Sequence, residues 1–135
     1  RKECAPRLTA IPCSMRKARV HQAVIAGNAL QQKPYKYGGG HRSTEDDGYD
    51  CSGAVSYVLN KAGLLKGTTT SKGLTTYGKP GPGKWITIYA KPGHAFLVIG
   101  GLRLDTGGGK KDTGPRWKPG KRKTDGFLLR HPPGF

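Results

Sequence analysis

At 135 residues and 14.5 kDa the chain is long enough for one compact domain around a single core and too short for two ordinary ones. Apolar residues make up 34% of it, and 22 glycines with 10 prolines exclude a helical bundle in favour of a loop-rich fold. Lysine and arginine number 24 against 8 acidic residues, a net charge of +16, so a polyanionic partner is expected: nucleic acid, or the anionic polymers of a bacterial envelope.

No apolar run approaches the ~20 residues of a bilayer span, so a soluble chain is expected. It opens on Arg1 rather than methionine, which points to an upstream segment that has been removed. Cys4 and Cys13 lie close together in ECAPRLTAIPC, a stretch with little periodicity of its own. A Cys4–Cys13 disulfide is expected to staple residues 1–15, which implies an oxidising compartment and leaves Cys51 as the odd thiol.

Residues 16–32 carry Val20, Ala23, Val24, Gly27 and Leu30 near an i, i+3, i+4, i+7 stripe, predicting an amphipathic helix that ends before Pro34. A Gly-rich loop, KPYKYGGGHRSTEDDGYD, fills 33–50. A second helix is predicted from about Ser52 to Ala62, with Ala54, Val55, Val58, Leu59 and Ala62 on one face, Asp50 as N-cap and Gly63 as stop. Residues 67–83 read as loop. Strands are expected at 85–90, 94–100, 102–106 and 126–131, the middle two joined by a two-residue Gly100-Gly101 hairpin. The segment 107–126 reads as an exposed basic loop. Helices followed by strands predict an α+β domain with an antiparallel sheet.

Cys51 stands at the mouth of the second helix. A thiol attacks carbonyls as thiolate, and unpaired N–H groups and partial positive charge at a helix N-terminus favour that anion. The same N–H groups are candidates for an oxyanion hole. His94, opening an apolar strand after Pro92-Gly93, is the best-placed base, whereas His21, His41 and His131 read as solvated or structural. Across the hairpin, Asp105 and Thr106 are each able to orient the imidazole. The run Glu45-Asp46-Asp47 beside His41 lacks EF-hand or zinc-ligand spacing, so neither metal nor cofactor is expected. Gly38-Gly39-Gly40 lacks the Lys-Ser/Thr of a phosphate loop.

The strings PYKYGGG, YDCSG and GHAFLVIGG, in that order over residues 34–106, resemble the NlpC/p-sixty family of papain-like cell-wall cysteine peptidases. The resemblance implies a papain-like fold, the nucleophile helix packed on an antiparallel sheet of about four to five strands. It implies an endopeptidase cutting peptidoglycan stem peptides between γ-D-glutamate and a diamino acid, with Cys51 as nucleophile and His94 as general base. Tyr35, Asp50 and Ser52 match positions that shape the site and receive the free amino end of the stem. The family places His, Asn or Gln at the third catalytic position. Here LRLDTGG offers Thr106 by direct count and Asp105 with a tighter hairpin, and Asp105 is preferred because a carboxylate stabilises the imidazolium.

The chain is therefore expected to act as a secreted, periplasmic or wall-bound monomer, in wall remodelling or as an antibacterial toxin with an inhibitor or immunity protein. Rival readings are a catalytically silent wall-binding module and an amidase or acyltransferase on the same fold. Sequence-specific nucleic-acid recognition is not expected, because no aromatic RNP strand accompanies the basic residues.

Overall fold

A computed structural model describes residues 12–108, 113–119 and 121–135. Cys4 lies outside them, and with it the expected Cys4–Cys13 link. The first helix, α1, spans Cys13–Ala29, starting earlier and ending earlier than the apolar stripe predicts. Its inner face is Ala23, Ala26 and Gly27, continued by Leu30 just past its end, with Val20 and Val24 packed at the margin.

The second helix, α2 (Cys51–Lys61), is the centre of the molecule. All five residues predicted to share a face are buried, and so are Ser52, Ser56 and Tyr57, because α1 covers one side of α2 and the sheet another. It ends as predicted at Gly63, whose φ of +76° needs no Cβ. Gly63 N–H bonds to Asn60 O at 3.0 Å and Leu64 N–H to Leu59 O at 2.8 Å, the two bonds of a Schellman cap.

The segment 67–83 is more ordered than its composition suggests. Buried Ser56 Oγ donates to Thr69 O at 3.1 Å and accepts from Thr69 N–H at 3.0 Å, pinning this segment to α2. Thr70 then caps a one-turn helix, α3 (Ser71–Leu74), by accepting from Gly73 N–H at 3.0 Å. Such a short helix has no periodicity for sequence to show.

Among the described residues six strands form one antiparallel sheet: β1 (Lys79–Pro80), β2 (Ile86–Lys91), β3 (His94–Ile99), β4 (Leu102–Asp105), β5 (Arg116–Lys118) and β6 (Leu128–His131). Their order is β1-β6-β2-β3-β4-β5, so both edges, β1 and β5, are the strands absent from the predicted set. β5 lies inside the segment read as a basic loop. Its pairing is supported from outside the strand: Trp117 N–H donates to Gln31 Oε1 at 2.9 Å and Trp117 Nε1 to Asn28 Oδ1 at 2.8 Å, tying it to the end of α1.

One face of the sheet, with Ile86, Ile88, Ala90, Ala95, Leu97, Ile99 and Leu104, packs on the helices and makes the core. The other carries Tyr89 stacked on Phe96 at 4.7 Å, with Phe127 edge-on to Phe96 at 5.2 Å.

Candidate active site

Asp50, extended at the entrance to α2, accepts the Gly53 N–H on Oδ1 at 2.7 Å, a side-chain N-cap that starts the helix at Cys51. Two glycines make this entrance possible. A Cβ on Gly53 would run into the carbonyl of Gly39, and that same carbonyl accepts Asp50 N–H at 3.2 Å. The Gly-Gly and Asp-Cys-Ser-Gly strings are thus halves of one backbone contact. Cys51 is a free, half-buried thiol in the first turn. Gly53 N–H is taken by the cap and Ala54 N–H by Asp50 O. The N–H groups of Cys51 and Ser52 are therefore the ones in this turn left to face a substrate oxygen.

β3 reaches this helix mouth at its first two residues. The thiol lies near enough to the His94 side chain and the Ala95 N–H for both to favour its anion, and Ser71 Oγ lies 3.5 Å from Sγ. His94 Nε2 is 2.9 Å from Asp105 Oδ1, and because a carboxylate only accepts, Nε2 carries the proton and Nδ1 is left for the thiol. Register explains why it is Asp105 and not Thr106. Gly100 and Gly101 take φ of +56° and +87°, a two-residue turn that pairs Ile99 with Leu102 and Leu97 with Leu104. One step further along, Phe96 faces Asp105, so Asp105 shares the face of Phe96 and His94. Thr106 falls on the core face, buried, its Oγ1 without a hydrogen-bond partner.

Burial pushes the Cys51 thiol up, but the bond to His94, the Ser71 hydroxyl, the imidazole charge and the Ala95 N–H together bring it below the ordinary cysteine value. Burial alone would lower the His94 imidazolium; its bonds to Asp105 and Cys51 outweigh that and raise it to about 9. Asp105 is pushed up by burial yet ends lowered to about 2 by His94, the Gly107 N–H and Arg122. The arrangement at neutral pH sets a thiol of lowered pKa against a protonated imidazole backed by an ionised carboxylate.

The predicted substrate-side residues gather at the same helix mouth. Asp50 Oδ2 accepts Gly38 N–H at 3.1 Å, while Oδ1 also accepts His41 Nε2 at 2.9 Å and Ser52 Oγ at 3.4 Å. His41 Nε2 is 3.1 Å from Ser52 Oγ as well, so His41, read as a solvated or structural residue, belongs to the Asp50–Ser52 cluster. Tyr35 is partly exposed, its backbone bridging Tyr49 in parallel. Tyr49 is buried and anchors the Gly-rich loop through its hydroxyl, which donates to Thr44 O and accepts Asp46 N–H at 3.0 Å. The acidic run is engaged in ion pairs, Asp46 with Lys36 at 3.0 Å and Glu45 with Lys61 at 2.6 Å. Among the described residues no cluster of three or more metal-ligating side chains occurs.

Sequence reading missed Ser71, which follows no motif, and Arg122, hidden in a run of basic residues. Only the Thr-Ser order of a capped turn hinted at the first.

No family model matches the chain. Over 87 residues it is 33% identical to the probable peptidoglycan endopeptidase LytE of Bacillus subtilis strain 168, a match taking in 60% of this chain and 25% of LytE. The chain thus spans only a part of that relative. Among solved structures it resembles the peptidoglycan hydrolase RipB of Mycobacterium tuberculosis, with a TM-score of 0.64 at 21% identity over 90% of this chain and 68% of RipB. It resembles the resuscitation-promoting-factor interacting protein RipA at TM-score 0.66 and 22% identity, over 93% of this chain and 69% of that one. It also matches the p-sixty domain of an antigen from M. avium paratuberculosis at TM-score 0.64 and 20% identity, covering 87% of this chain and 95% of the domain.

The chain has the NlpC/p-sixty fold. The three strings that carry the resemblance in sequence meet at one point of this NlpC/p-sixty-type structure, the mouth of α2. The sheet has six strands against the four to five expected, the edge strands β1 and β5 being additional to the four read from sequence.

Proposed function

We propose that the chain is a cysteine endopeptidase of the bacterial cell wall, cutting a peptidoglycan stem peptide through a thioester. The observation that carries this reading is the line Cys51–His94–Asp105 at the N-terminus of a buried helix. The Cys51 thiolate attacks the scissile carbonyl carbon, and the oxyanion forms against the Cys51 and Ser52 N–H groups. His94 gives its proton to the departing amine, leaving a thioester on Cys51. It then takes a proton from water, which attacks the thioester and releases the new carboxylate and the thiolate. Asp105 holds the ring in the tautomer this cycle needs.

The bond is assigned as γ-D-glutamyl to diamino acid, with Tyr35, Asp50, Ser52 and His41 on the side that receives the free amino end. LytE and RipB are named as peptidoglycan-cleaving proteins, which supports the substrate class. A net charge of +16 fits a wall rich in anionic polymers. Among the described residues no helix is long and apolar enough to cross a membrane. The setting is extracytoplasmic, for wall remodelling or against a competitor.

The test is digestion of purified peptidoglycan by the wild-type chain and by Cys51→Ala, with released fragments identified by mass spectrometry. Fragments ending in D-glutamate from the wild type alone are expected. No release by either chain would overturn the reading and favour a silent wall-binding module. Release by Cys51→Ala would remove Cys51 as nucleophile.

A further inference from the structure

The carboxylate behind His94 is held from two sides. Asp105 Oδ1 accepts from His94 and from Gly107 N–H at 2.8 Å; Oδ2 accepts from Arg103 at 2.6 Å and from Arg122 Nε at 2.7 Å. Its side chain is 0% exposed. Arg103 arrives with Asp105, two positions before it on β4. Arg122 comes from the basic segment beyond β5, and its placement is specific. Its guanidinium carbon lies 4.8 Å from the ring centre of Phe96 and 5.2 Å from that of Phe127, and its NH1 donates to Lys123 O at 3.0 Å.

We propose that Arg122 is a positioning residue for the His94–Asp105 pair, holding the far edge of the carboxylate so that Oδ1 stays aimed at the imidazole. A carboxylate bonded through one oxygen turns about its Cβ–Cγ bond. One bonded on both oxygens does not, and Arg122 adds to the Arg103 bond on Oδ2 a second donor from a guanidinium seated against the Phe96 and Phe127 rings. The same contact keeps a buried carboxylate ionised, and only the ionised form stabilises the imidazolium. The charged groups around the ring are Asp105, Arg103 and Arg122 behind it, Lys118 on the Gly107 carbonyl and Lys91 over Phe127 to the side, and Cys51 in front.

The proposal rests on the reading of Cys51 and His94 as a reacting pair, but its first readout needs no peptidoglycan. Cys51 alkylation by iodoacetamide is followed across pH, together with kcat and KM on peptidoglycan fragments. In Arg122→Gln the alkylation midpoint moves to higher pH and kcat falls about tenfold with KM nearly unchanged, as for a small misplacement of a catalytic group. Arg122→Lys recovers only part of each, since an ammonium supplies neither the in-plane Nε–H nor a flat face for the rings. Lys123→Gln, the same charge loss one residue on, leaves the profile where it is.

A wild-type alkylation profile in folded Arg122→Gln overturns the proposal. So does an equal displacement in Lys123→Gln, which would make the effect one of bulk charge. If Arg122→Gln does not fold, the Arg122→Lys profile decides: a wild-type midpoint overturns the proposal, an intermediate one upholds it. Should wild type fail to cut peptidoglycan, the proposed substrate falls while the alkylation comparison still stands or fails by itself.

Discussion

Asp105 Oδ1 lies 2.9 Å from His94 Nε2, while the hydroxyl of its chain neighbour Thr106 is buried without a hydrogen-bond partner. Replacing Asp105 with Ala leaves the imidazolium without its acceptor and two guanidinium groups without their carboxylate, so kcat should fall by on the order of 100-fold or more. Thr106→Val removes a buried hydroxyl that has no partner, so stability should hold or rise and activity should persist. Rates on peptidoglycan fragments and thermal melts of both variants check this. Equal losses in the two would mean that the imidazole is oriented by something else.

The thiol itself can be titrated. With Cys51 lowered and His94 raised to about 9, iodoacetamide should react with the folded chain at a lower midpoint than with the unfolded chain. A second inflection is expected near pH 9 as the imidazolium loses its proton. Ser71→Ala removes the hydroxyl 3.5 Å from Sγ and should move the first midpoint upward. A profile identical to that of the unfolded chain would dispose of the ion pair.

Gly53→Ala puts a methyl group against the Gly39 carbonyl, where backbone must shift to make room. A loss of about 1–3 kcal/mol is expected in chemical denaturation, as for other overpacked sites. The strain falls on the contact that seats Asp50 and Cys51, so activity should drop at temperatures where the variant is still folded.

Stability should depend on pH at both ends. Asp105 is lowered from 3.8 to about 2 on folding, so its contribution is fully present above its unfolded value and lost as pH falls through about 2. His94 is raised from 6.5 to about 9, so its contribution is fully present below 6.5 and lost as pH rises through about 9. Urea midpoints measured across pH, with Asp105→Asn as the comparison, should show the acid-side loss shrink in the variant. An unchanged acid limb would place that dependence on other carboxylates, Asp46 first among them.

Much of the site was legible from local rules. The stripe Ala54, Val55, Val58, Leu59 and Ala62 is buried as its period requires, Asp50 caps the helix and Gly63 stops it. The thiol at the helix mouth, the histidine at a strand start and the two-glycine hairpin are each set by residues within a few positions of one another. Asp105 was preferred over Thr106 on chemical grounds, and strand alternation by itself left the two open, because it sorts residues into faces without saying which face is inward.

What sequence alone determined, then, is whatever depends on neighbours in the chain: helix period, cap, turn type and the order of the three motif strings. Tertiary structure decided what depends on contacts between distant segments. The register of β3 on β4 placed Asp105 beneath His94, the Ser56–Thr69 bonds carried Ser71 to the thiol, and the rings of Phe96 and Phe127 held Arg122 against a carboxylate 17 positions away. The edge strand β5 exists because α1 offers Asn28 and Gln31 to Trp117. Three residues and a basic composition give no local pattern, so only the packed helix reveals the strand.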